Sequence, residues 1–177
     1  MNRIFDRADM LLPKDCDMTK WSVVACDQIS SQPEYWAALE QQCAGVPSAL
    51  HLIFPEAYLE ERDQFAEAEK INAEMDKYLA GDVFREVKDS YIYLERTLRG
   101  GVVRRGLMGV LDLDAYDYSP TSSSPIRATE GTVEDRLPPR VRGREGEALE
   151  MPHIMVFIDD PNDTVMHGLT ETKAGMP

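Results

Sequence analysis

A mixed α/β (α+β) fold, with a β-hairpin-containing mixed sheet and one long packed helix, follows from three features of the chain. Between Glu56 and Ala80 apolar residues recur at Phe65, Ala68, Ile71, Met75 and Tyr78 or Leu79, the spacing of one helical face. Glu67, Glu69, Lys70, Glu74 and Lys77 fall between them as a solvated face. At Ser90 the period switches, and two strand-like runs, Tyr91–Leu98 and Val103–Leu113, flank the Gly100-Gly101 turn signal. Short β-branched and aromatic runs elsewhere, at 21–26, 50–54 and 152–158, complete the pattern.

In order along the chain, residues 1–19 hold no clear period, and Leu11-Leu12-Pro13 reads as an ordered arm covering an edge. Trp21–Cys26 reads as a short buried strand. Ser31 with Glu34 three residues on is a capping box, and Pro33 suits a first helical turn. A helix over Tyr35–Cys43 follows, closed near Gly45 and Pro47. Leu50–Phe54 reads as a second strand, stopped by Pro55. Gly81 fits just past the end of the long helix, and a short helical turn is expected over Asp82–Val87. In the hairpin, Gly106 and Gly109 mark a bulge or a close backbone approach. Residues 114–124 are loop-like. Pro152–Ile158 reads as a last strand, paired with the hairpin, and Asp159–Asp163 as its turn. The tail from His167 has no apolar period.

Composition narrows the function. The 177 residues form one domain with a buried core. The net charge of −13 repels phosphate backbones and disfavours nucleic acid as a partner. The longest apolar run, Ile154–Ile158, has five residues, too few for a membrane helix. Three cysteines (Cys16, Cys26, Cys43) without a secretory signature predict a reducing cytoplasm rather than a disulfide framework. The cysteines and the three histidines show no zinc-ligand spacing. Neither common nucleotide fingerprint of glycines is present.

The chemically distinctive stretch is Ile126–Glu147. It carries Arg127, Arg136, Arg140, Arg142 and Arg144, and from Arg136 to Arg144 there are four arginines and no acid. Pro138, Pro139 and Gly143 argue against a plain amphipathic helix there. Arginines at this spacing clamp phosphate or carboxylate; equally, they pair with Glu130, Glu134, Asp135, Glu145 and Glu147. Glu130, beside Arg127, Thr129 and Thr132, can serve as general base for a hydroxyl or order a loop. Asp27, after the Trp21–Cys26 strand and before a helix N-terminus, stands where open α/β sheets place ligands, or forms an Asx-type turn. His153 reads as a core or edge histidine, Asp159, Asp160 and Asp163 as turn residues, and Cys26 as packing.

Three segments, WSVVACDQISSQPEYW (21–36), YIYLERTLRGGVVRRGLMGVLDLDAY (91–116) and IRATEGTVEDRLPPRVRGREGEALEMPHIMVFIDDP (126–161), together resemble the domain-of-unknown-function 1015 family. Members are longer, so the resemblance implies that this stretch is an N-terminal part lacking a C-terminal half. Some members carry, further along, a glycine-histidine loop similar to the phosphate-binding loop of ParB- and sulfiredoxin-like nucleotide enzymes, some of which phosphorylate free serine. That group's acidic residue, in an Arg-x-(His or Thr)-Glu setting, matches Arg127, Thr129 and Glu130, with Arg136 as a further candidate. The resemblance thus implies a phosphotransferase acting on a small hydroxyl metabolite, with a nucleotide and magnesium as cofactors, Glu130 catalytic, and Arg127, Thr129 and Arg136 holding the ligand; the arginine spacing adds Arg140 and Arg142 to the ligand residues, and the strand-end reading adds Asp27. This stretch alone is expected to be inactive, and to expose an apolar patch through which it docks its missing half or forms a homodimer. The rival reading is a non-catalytic binding, regulatory or accessory domain.

Overall fold

A computed structural model describes residues 3–117, 119–127, 131, 134, 137–151 and 153–172, with the backbone alone for 139, 140, 142, 143 and 172. It combines helices with strands paired in two-stranded sheets, so the class is mixed α/β as the sequence predicts. The chain divides into two compact units. Unit 1 is Met1–Met10, Glu86–Thr129 and Met155–Pro177; unit 2 is Leu11–Arg85 and Glu130–Ile154. No helix among the described residues is long and apolar enough to cross a membrane.

Unit 2 holds the buried core. Helix α1 (Met18–Trp21) begins at Asp17, whose carboxylate accepts from the Thr19 amide at 2.9 Å. This capped turn takes Trp21 into a helix, where a strand over Trp21–Cys26 is expected. The Ser22 amide bonds back to Met18 O, and Cys26 O accepts from the Glu56 amide, so the stretch has no ladder to join. β-propensity yields here because a strand is stable only beside a partner. Helix α2 (Pro33–Cys43) starts with Pro33 in its first turn as read, but its cap is Gln32 with no side-chain bond, so the Ser31–Glu34 capping box does not form. Ala49–Leu52 is a 3₁₀ turn rather than a strand: Ser48 Oγ accepts from the Leu50 amide at 3.2 Å and starts the turn.

The long helix α3 runs Gln64–Ala80, shorter than the expected 56–80. Asp63 accepts from the Phe65 and Ala66 amides at 2.8 and 3.0 Å and fixes the start; Glu56–Tyr58 is a separate 3₁₀ turn. Gly81 caps the far end through its amide to Lys77 O. Of the apolar stripe, Met75 and Tyr78 are buried, whereas Phe65 is 57% exposed. Met75 and Tyr78 pack with Trp21 and Leu52, and Trp36, Cys43, Leu50 and Tyr58 form a second cluster.

The expected helical turn over Asp82–Val87 is instead part of strand β3 (Phe84–Ser90), paired with β2 (Ala8–Pro13). The arm read at Leu11-Leu12-Pro13 is thus a strand covering another. In unit 2 its continuation bonds through Lys14 N to Val83 O at 2.7 Å. In unit 1 the Asp89 amide donates to Asp9, and Arg7 pairs with Asp89.

Unit 1 contains the hairpin. Strands β4 (Ile92–Thr97) and β5 (Val103–Met108) pair antiparallel from Ile92↔Met108 to Thr97↔Val103. Gly100 and Gly101, at φ 96° and 85°, supply the left-handed backbone of the turn. Gly109 is the close approach: a Cβ there would lie 2.5 Å from Asp6 O and 2.7 Å from Phe5 Cζ. Beyond it β6 (Val110–Leu111) pairs with β1 (Phe5–Asp6), and Phe5 stacks on Tyr91.

The hairpin does not pair with residues 153–158. Ile154–Ile158 lies outside any strand and stays exposed, Phe157 at 92%. The run is apolar on both faces and needs cover on both, which the described residues do not supply. The tail, read without period, forms helix α5 (Met166–Thr172) after a turn in which Asp160 accepts from the Thr164 and Val165 amides. Helix α4 (Leu137–Arg144) also forms where the prolines argue against one, because Pro138 and Pro139 sit in its first turn, where the missing N–H groups have no intrahelical partner to lose. It packs against α3.

Candidate functional site

Two places in the molecule gather chemistry. The first is the arginine segment. Glu130, Thr129 and Arg136 lie outside the described residues. Arg127 is exposed, in unit 1, beside Ile126, which bridges to Tyr116. Arg140 and Arg142 stand on α4 in unit 2, on the same short helix as Arg144. Arg144 Nε reaches Glu147 at 3.4 Å, and its Nη2 pairs with Glu150. Burial pushes the Glu147 carboxyl above its ordinary pKa, against the pull of Arg144. One of the five arginines is therefore held by acids of its own unit, the pairing read as the alternative to ligand binding.

Asp27 is exposed in the turn leading to α2, where Gln28 Nε2 donates to its carboxylate at 3.2 Å. The strand that would have put it at a sheet's carboxyl end does not form, so the strand-end argument for a ligand there loses its footing. His153 is exposed rather than a core histidine. Asp160 spends both carboxylate oxygens on Thr164 and Val165 as a turn residue. Among the described residues no three histidine, cysteine or acidic side chains gather as a metal site.

The second place, which the sequence does not announce, is a groove of about 300 Å³ in unit 2. Its walls come from α2, the 49–52 turn, the Ile53–Arg62 segment and α3, and His51 lines it. Behind His51 a buried polar chain runs inward. The Ser48 amide donates to Tyr78 Oη at 3.0 Å, and Tyr78 Oη lies 2.7 Å from His51 Nδ1. Ser48 is fully buried and Tyr78 nearly so; Ser48 Oγ in turn donates to Lys20 O at 2.6 Å. Burial holds His51 below the ordinary histidine pKa, against the pull of Glu74. Around the rim charges are matched: Arg62 spans both oxygens of Glu40 at 2.8 and 3.2 Å, with its guanidinium 3.5 Å over the Tyr58 ring, and Lys70 pairs with Glu67 at 2.6 Å.

Nothing in the spacing of Ser48, His51 and Tyr78 flags this group, because its assembly rests on α3 returning Tyr78 to a turn thirty residues earlier. The available signal was the Pro47-Ser48 pair, a cap before a turn, which fixes where His51 points.

No curated protein and no solved structure matches the chain. Residues 11–177 match the family described as Protein of unknown function (DUF1015), in agreement with the three segments that resemble it, and the chain belongs to that family.

Proposed function

We propose that the protein binds a small phosphorylated ligand or nucleotide through the arginine segment, with Arg136, Arg140 and Arg142 of unit 2 as the phosphate-holding residues. The observation that carries the reading is four arginines without an acid between Arg136 and Arg144, in a chain of net charge −13. A local positive segment in an acidic protein attracts a small anion while the rest of the surface repels polyanions. Guanidinium groups supply the bidentate, charge-assisted hydrogen bonds that phosphate accepts. Arg127 and Thr129 of unit 1 and Asp27 are the further ligand candidates. In its catalytic form the reading has Glu130 take the proton of a small hydroxyl compound as a phosphoryl group is transferred to it from a magnesium nucleotide.

The alternative, an accessory or binding domain in which the segment is an ion-pair strap, is favoured by Arg144, which Glu147 and Glu150 already hold. Thermal unfolding with ATP-magnesium and with inorganic phosphate separates the two. A ligand at a hundredfold excess over its dissociation constant adds about 2.7 kcal/mol of stability. Arg136→Ala is expected to raise the dissociation constant at least tenfold, which cuts that stabilisation to about 1.4 kcal/mol or less, and Glu130→Gln to spare it while removing any turnover. No stabilisation by either ligand, or equal loss of stability and activity in Glu130→Gln, supports the strap instead.

A further inference from the structure

We propose that the groove lined by His51 in unit 2 is a binding site for a small uncharged molecule with a carbonyl oxygen, which accepts a hydrogen bond from His51 Nε2–H. The inference is independent of the arginine segment and concerns ligands of the opposite electrostatic preference.

The hydrogen-bond geometry fixes which ring nitrogen carries the proton. Tyr78 Oη already accepts from the Ser48 amide at 3.0 Å. Its own proton has two acceptors in reach, Ser48 O at 3.5 Å and His51 Nδ1 at 2.7 Å. A contact of 2.7 Å is the length of an O–H donor's bond, shorter than an N–H donor's usual length of about 2.9–3.0 Å, and a phenol donates more strongly than an imidazole, so we take Tyr78 as donor and Nδ1 as acceptor. A neutral imidazole that accepts at Nδ1 carries its proton at Nε2. Burial favours that neutral form. Nε2–H is thus an oriented donor on a half-buried ring that lines the groove, and no partner for it is found among the described residues.

The rest of the lining selects the class of ligand. Leu50, Ile53, Pro55 and Ile71 supply apolar wall. Glu40, Glu67 and Glu74 line the groove beside Arg62 and Lys70. Each of these carboxylates is ion-paired, to Arg62, Lys70 and Lys77 in turn. A carboxylate or phosphate entering would therefore find no cation left unmatched to receive it. An amide or ketone oxygen meets only the imidazole donor, with its apolar part against the wall.

Benzamide and benzoate test this, being the same shape and differing in charge. Long-range ¹H–¹⁵N spectra of the full chain should show His51 protonated at Nε2 with Nδ1 as acceptor. Benzamide should shift the His51 ring signals saturably, benzoate at least tenfold more weakly. His51→Phe, which keeps an aromatic ring in the turn, should lose the benzamide response in the amide signals of Leu50, Ile53 and Ile71. An Nδ1-protonated ring, no saturable benzamide shift, equal binding of benzoate, or an unchanged response in His51→Phe would each overturn the proposal. The tautomer and the benzamide–benzoate ratio are read on the unmutated protein, so they decide the matter even if His51→Phe fails to fold.

Discussion

Tyr78→Phe isolates the polar chain that ties α3 to the turn at Ser48. The substitution keeps the ring, and with it the packing on Trp21 at 6.2 Å and Phe84 at 6.3 Å, so the apolar contribution is nearly unchanged. What goes is one oxygen. The Ser48 amide, on a fully buried residue, loses its acceptor at 3.0 Å. Leaving a buried donor unsatisfied costs about 1–3 kcal/mol. His51 Nδ1 loses its donor too, but the half-buried ring can be rehydrated, which limits that part to about 1 kcal/mol or less. The sum is a loss of about 1–4 kcal/mol. For a chain of this length that lowers the melting temperature by roughly 2–16 °C. The assay is urea unfolding followed by tryptophan fluorescence, since Trp21 and Trp36, the chain's two tryptophans, sit in the two buried clusters of unit 2. Tyr91→Phe is the control: its hydroxyl reaches Asp6 at 3.4 Å on the surface, and its loss should cost under about 0.5 kcal/mol. If Tyr78→Phe behaves like Tyr91→Phe, the hydroxyl is not the Ser48 acceptor and the polar chain as drawn is wrong.

Met75→Asp should destabilise unit 2 by several kcal/mol, about 3–5, because Met75 is fully buried among Trp21, Leu52 and Tyr78 and a carboxylate there has no partner; circular dichroism melting reads it, and a wild-type melt would mean the stripe is misassigned. Gly109→Ala should cost about 1–3 kcal/mol, since its Cβ would meet Asp6 O at 2.5 Å; faster hydrogen exchange at the Asp112 amide, which bonds Ile4 O, locates the damage at the β1–β6 pair, and unchanged exchange would refute the close approach. His51 has a folded pKa lowered by burial, so between that value and the ordinary 6.5 the unfolded chain binds more protons. Stability is therefore complete above about 6.5 and is lost as pH falls through that window. His51→Phe should flatten this slope of the urea midpoint, and an identical slope in the variant would assign it elsewhere.

The elements read correctly from the sequence are those whose signals are local. α2 follows the proline of its first turn, the end of α3 follows Gly81, and the hairpin follows two strand-like runs around Gly100-Gly101, whose positive φ only glycine adopts without strain. Gly109 was legible for the same reason: a glycine inside a strand pattern marks a backbone neighbour too close for a Cβ. Membership of the family was legible in the three segments quoted above, because shared sequence needs no folding argument.

The tertiary structure decided the rest. Trp21–Cys26 and Leu50–Phe54 have the composition of strands and form turns and helix, because a strand is stable only beside another and Asp17 and Ser48 offered the backbone caps at once. Phe84–Ser90 became a strand because β2 came to lie beside it. Ile154–Ile158, the most apolar run, did not pair, since composition specifies a wish for cover and not its presence. The arginine segment was visible as charge from the first reading, while Arg144's commitment to Glu147 and Glu150 depended on how the chain turns after α4. The groove at His51 was not visible at all. Its buried polar chain and its matched rim charges come from residues far apart in the chain, and hydrogen bonds between distant residues exist only once packing has removed water from between them.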